Sequence, residues 1–143
     1  MTAPPRNSMP AKVVVVGQQP PPVHGSNLVC EELINSLEGA GIRVIFVEKR
    51  FSERIEEVGK ANFGKMLRVP KFLAHALREC PSGDTPVVYF VSLTPASFLV
   101  DALCIRMLTR GRRVPLILYV HGVGFRALSA GGVFMSDLVR RTL

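Results

Sequence analysis

Val13, Val14, Val15 and Val16 form an unbroken apolar, β-branched run near the start of the chain. With no polar alternation, such a run suits a strand buried on both faces, and it predicts a first strand over residues 12–17. From Ser26 the pattern changes. Val29, Leu33 and Leu37 recur every fourth residue, predicting a helix capped by Ser26 that reaches about residue 38 and stops at Gly39 and Gly41. Residues 42–47 are again β-branched and aromatic, a second strand. Residues 60–79 place Phe63, Leu67, Leu73 and Leu77 on one side of a helix that Pro70 should kink or divide. Residues 86–91 predict a third strand, and Pro95 suits the first turn of a helix running to about residue 109. Gly111 closes that helix, residues 115–120 are a fourth strand, and residues 133–143 begin another helix. Residues 1–11 are rich in proline and polar groups and read as a mobile tail, which leaves 12–143 as one domain.

Strands alternating with helices build parallel βαβ units. The chirality rule for such crossovers then points to an α/β, Rossmann-like parallel sheet with flanking helices, in the order 3-2-1-4. In that order strands 1 and 4 are neighbours whose connections leave in opposite directions, opening a crevice at their carboxyl ends. Two loops would line it, residues 18–27 and residues 121–124. The first is unusual for a strand-to-helix turn, because it carries Pro20, Pro21 and Pro22 followed by His24-Gly25-Ser26. The prolines lower the entropy cost of holding one loop shape. Gly25 admits close backbone approach, and the first N–H groups of the following helix face whatever sits there.

Composition narrows the chemistry. The 143 residues carry a formal charge of +7, which favours an anionic partner such as a nucleotide phosphate or a lipid headgroup. Cys30, Cys80 and Cys104 have neither disulfide-framework nor zinc spacing and read as buried, reduced thiols of a cytosolic protein. The apolar region 87–107 is interrupted by Pro95 and Asp101, so it suits a strand and a helix better than a membrane span. Residues 49–71 hold seven Lys/Arg against three Glu, interleaved with Phe51 and Phe63 and followed at once by Phe72. That stretch suits either a solvated helix face or a patch lying on an anionic membrane. The basic groups form no aromatic-lined strip, which argues against nucleic acid.

Several motifs are missing. There is no close glycine trio after the first strand, no phosphate-binding GxxxxGK[ST] and no GxSxG, so a dehydrogenase, a P-loop enzyme and an α/β-hydrolase are disfavoured. His24 and His121 remain, each followed by glycine on a loop of the expected crevice, and suited to bonding sugar hydroxyls or to proton transfer near neutral pH. Ser92 and Thr94 follow the third strand at the same edge, as ligands or as caps of the Pro95 helix. Glu48, Lys49 and Arg50 close the second strand, where an acid holds a ribose in dinucleotide folds, but the companion glycines are lacking. His75 reads as structural. Arg110, Arg112 and Arg113 precede the fourth strand and point away from the crevice.

The stretch PPPVHGSNLVCEELINSLEGAGIRV resembles the first loop and helix of the GT-B glycosyltransferases of family 4, and LYVHGVGF resembles that family's His-Gly after the fourth strand. The likeness spans most of residues 12–125. It implies the acceptor-side N-terminal part of a retaining, metal-independent hexosyltransferase that uses a nucleotide-diphosphate sugar as co-substrate and needs no further cofactor. It implies His121 against the transferred sugar and Gly25 near phosphates or acceptor; by their places on the expected crevice His24, Ser26, Gly122 and Ser92 complete the candidate binding set. His24 stands where many members have glycine. Partners implied are a nucleotide sugar and a sugar or lipid-linked acceptor; the expectation is a cytoplasmic protein, with residues 49–71 as the stretch that would touch the inner membrane face if it is peripheral. The family's second domain, with its Glu-x7-Glu motif, has no counterpart in these residues. The expectation is therefore a truncated, incomplete N-terminal domain of a GT-B fold, with an uncovered fourth strand and little activity alone. A non-catalytic module that binds a nucleotide or a partner in the same crevice is the alternative.

Overall fold

A computed structural model of the chain describes residues 10–21, 23, 25–49, 63–80, 83–121, 130 and 132–142. Its elements follow in the order β1 (Lys12–Gly17), α1 (Gly25–Gly39), β2 (Arg43–Glu48), α2 (Phe63–Glu79), β3 (Val87–Val91), α3 (Pro95–Thr109), β4 (Leu116–Val120) and α4 (Val133–Thr142). Among the described residues the four strands form one all-parallel sheet, an α/β arrangement consistent with a Rossmann-like fold. Of the expected tail, residues 1–9 lie outside the described residues, whereas the Ala11 carbonyl already accepts a bond from Arg43 N at 3.1 Å.

The strand order corrects the expectation. It is β2-β1-β3-β4, not 3-2-1-4, so β3 stands between β1 and β4. Crossover handedness is compatible with both orders, and the choice follows from burial. β2 (RVIFVE) begins with an exposed Arg43 and ends on Glu48, and only Val47 within it is buried. β3 (VVYFV) has no charged residue, and four of its five side chains are buried. The strand that tolerates water takes the edge, and the one that does not moves inside.

The alternation along β1 supplies both faces of the core. Val13 and Val15 pack with Cys30, Ile34, Ile42 and Phe90 beneath α1. Val14 and Val16 pack on the opposite face with Val47, Phe72, Leu73, Tyr89, Phe98 and Val139, beneath α2, α3 and α4. α1 stops by a two-bond C-cap: Ile42 N reaches the Leu37 carbonyl at 3.0 Å and Gly41 N reaches Glu38 at 2.9 Å, with Gly41 at φ +78°. α2 runs through Pro70 as one helix, so the proline costs one internal N–H without dividing it. Its last carbonyls are held by Arg112, whose Nη1 donates to Leu77 O at 3.3 Å and Cys80 O at 3.2 Å. That arginine of the 110–113 cluster is thus engaged at the end of α2 and turned away from the carboxyl rim, as expected. β4 pairs with β3 alone among the described residues and leaves Ile117 56% exposed.

Candidate functional site

With β3 inside the sheet, the point where crossovers part company moves from β1/β4 to β1/β3. β1 leads into α1 on one face, and β3 leads into α3 on the other. In open parallel sheets such a point leaves a crevice at the carboxyl rim. Gly17 ends β1 there, and a methyl group on it would lie 2.7 Å from Cys30 Sγ and 3.2 Å from the Phe90 ring. The bare glycine is what lets α1 settle so low over the strand ends.

On the α1 face, the two His-Gly corners do meet in part. Phe90 of β3 contacts Tyr119 of β4, with ring centroids 4.7 Å apart, and His121 stacks beyond Tyr119 at 6.1 Å with 10° between planes. Tyr119 and His121 are two residues apart and so share a face. This row carries the exposed imidazole across the end of β3 to the start of α1, where Nε2 lies 3.4 Å from the position a Gly25 Cβ would take. The intervening strand therefore overturns the expected neighbouring of β1 and β4 but not the meeting of Gly25 with His121. His24 and Gly122 lie outside the described residues. Ser26 is not the N-cap: the helix begins one residue earlier, and Ser26 Oγ donates to Asn27 Oδ1 at 3.4 Å inside the first turn.

On the opposite face the rim holds a charged cluster that sequence reading missed. Lys49 shares the face of Val47, and its backbone N bonds Gly17 O at 2.7 Å. Its side chain passes the end of β1 and reaches β3 and α3. There Nζ donates to Phe90 O at 2.6 Å, to Ser92 Oγ at 2.9 Å, and to the Asp101 carboxylate at 2.8 and 2.9 Å. Asp101 is fully buried and also accepts from the Tyr89 hydroxyl at 2.8 Å and from Ser92 N at 2.6 Å. Nζ lies 4.9 Å from the centroid of the Tyr89 ring.

Burial pulls the Lys49 ammonium below the usual lysine range, against the Asp101 charge that holds its proton. Burial, with the Asp101 carboxylate adding to it, pushes the Tyr89 hydroxyl up so that it stays protonated and donates. Among the described residues no buried side-chain polar atom lacks a partner. Two signals in the chain announced the pair: a lysine in step with the inward face of an apolar strand, and a lone acid within 87–107.

Ser92 thus belongs to this cluster. It does not cap α3, and Thr94, which does occupy the N-cap, makes no side-chain cap bond. The membrane patch expected over 49–71 loses two members, because Lys49 and Phe72 point inward; Arg68 and Lys71 are exposed, and residues 50–62 lie outside the described residues. The three thiols are free and buried as expected, and burial pushes Cys30 and Cys80 up to about 11 and Cys104 up to about 12. His75 is partly exposed and lies 3.2 Å from Arg78 Nη2 on α2, away from the rim. Among the described residues no group of His, Cys, Asp and Glu could hold a metal ion, and no helix is long and apolar enough to cross a membrane. No protein-family model, curated protein or solved structure matches the chain.

Proposed function

We propose that this chain forms the acceptor-side, Rossmann-like part of a retaining glycosyltransferase that uses a nucleotide-diphosphate sugar. The observation that supports the reading is the corner where Gly25, at the start of α1, meets the exposed imidazole of His121 over the carboxyl rim. A diphosphate is an acceptor-only group, and the N–H groups and positive dipole end of a helix start suit it. A sugar presents hydroxyls that both donate and accept, and an imidazole offers one nitrogen for each. Gly25 keeps the floor of the corner free of side chain, so phosphate or sugar oxygens come close to backbone.

In the transfer itself the bond from the anomeric carbon to the diphosphate oxygen breaks and a bond to the acceptor oxygen forms. The acceptor hydroxyl proton leaves with the diphosphate. His121 contributes hydrogen bonding to the sugar as charge develops on it, and lies outside the covalent steps. The test is to fuse the chain to a donor-binding domain and compare turnover of wild type with His121→Ala. A loss of about a hundredfold is expected for an electrostatic contact of this kind, and equal turnover removes His121 from the mechanism.

A further inference from the structure

We propose that Lys49 is a positioning residue that locks Ser92 as a hydrogen-bond donor to a phosphate oxygen at the β1/β3 rim; the proposal rests on the diphosphate reading above. A lysine ammonium has three N–H donors and no acceptor. Its three partners are the Phe90 carbonyl, the Asp101 carboxylate and Ser92 Oγ, so every proton is committed and Ser92 Oγ is the accepting atom of its pair. The Ser92 backbone is pinned as well, because its N–H donates to Asp101 Oδ2 at 2.6 Å.

A serine hydroxyl ordinarily rotates to suit either role. Here rotation toward Lys49 would set proton against proton, so the hydroxyl hydrogen turns away from the buried pair. Ser92 is partly exposed at the carboxyl end of β3, and its Oγ accepts from Lys49 Nζ. The hydroxyl is therefore left as a donor of fixed sense. Phosphate oxygens only accept, so a donor that cannot reverse selects for them and against groups that only donate. The charges of Lys49 and Asp101 cancel, so the preference comes from the direction of a bond and not from a local excess of charge.

The test is calorimetric titration of the 143-residue chain with uridine diphosphate, inorganic pyrophosphate and methyl glucoside. Wild type is compared with Ser92→Ala, Ser92→Thr, Lys49→Met/Asp101→Asn, and the latter pair combined with Ser92→Ala. Ser92→Ala should weaken both phosphate ligands about tenfold, the scale of one bond to a charged group. Ser92→Thr, which keeps the hydroxyl, should stay within about threefold of wild type. The charge-free pair should weaken binding too, and adding Ser92→Ala to it should cost nothing more, because residues acting through one another are not additive.

Unchanged binding in Ser92→Ala, or full multiplication of the two losses, overturns the role of Lys49 while leaving the diphosphate site standing. Binding of methyl glucoside that alone depends on Ser92 overturns the phosphate assignment. If neither phosphate ligand binds wild type, the site reading fails and this proposal falls with it. Ser92→Ala takes one acceptor from the buried Lys49 ammonium and should lower the melting temperature by several degrees, which Ser92→Thr should not, so binding is compared well below both transitions.

Discussion

At the residue scale, the most consequential interaction is between side chains that sequence position keeps 52 residues apart, Lys49 and Asp101. Removing two charges from water is expensive, and their mutual attraction repays it only when the remaining hydrogen-bonding capacity is used. Here it is used: Tyr89, Ser92 N, Ser92 Oγ and the Phe90 carbonyl complete the set. Breaking such a pair from one side leaves a bare charge. Lys49→Met should therefore cost about 3–5 kcal/mol in urea denaturation. Lys49→Met/Asp101→Asn, which leaves no charge behind, should recover most of that loss. A single variant as stable as wild type would mean that the cluster is solvated and that Asp101 never feels the loss. The chain itself gave part of this away. An acid in an otherwise apolar helix has to find a cation, but periodicity places Lys49 and Asp101 on their faces without showing that those faces meet.

At the scale of elements, two glycines at the same rim do opposite jobs. Gly17 is required by packing, because a Cβ would collide with Cys30 Sγ at 2.7 Å and crowd Phe90. Gly25 has room for one, at ordinary contact distance from His121 Nε2. Gly17→Ala should thus destabilise by about 1–3 kcal/mol, as overpacking does. Gly25→Ala should hold stability within about 0.5 kcal/mol, or raise it, since alanine is the better helix former. Denaturation curves of the two variants settle the contrast, and a Gly25→Ala loss as large as that of Gly17→Ala would make Gly25 a packing residue and weaken its assignment to ligand. Element positions were legible in the pattern to within a few residues, because each strand is short, apolar and bounded by Gly, Pro or charge. Of the two outcomes expected at Pro70, division of α2 does not occur: Pro70 removes one hydrogen bond, and Phe72, Leu73 and Ala76 anchor the helix beyond it.

For the whole molecule, the order of strands decides where chemistry can sit. The α/β class followed from alternation of pattern, but the order 3-2-1-4 did not hold, because handedness constrains each crossover and does not say which strand goes inside. The deciding information lay in the contrast between the charged ends of β2 and the uniformly apolar β3. That change moves the parting of the crossovers to β1/β3 and puts Ser92, just after β3, at that rim, while the aromatic row of Phe90, Tyr119 and His121 keeps the fourth strand in touch with it. The net charge of +7 is consistent with an anionic ligand and does not locate it.

The proposed ligand lies at the carboxyl rim, between the start of α1 and the turn after β3. The most direct measurement is a backbone amide NMR titration of the chain with UDP-, GDP- and ADP-glucose. Shifts should gather at Gly25, Ser26, Ser92 and His121 and spare Gly83, Gly111 and Arg113 at the other end of the strands. Shifts centred on that far end, or none with any of the three, would contradict it.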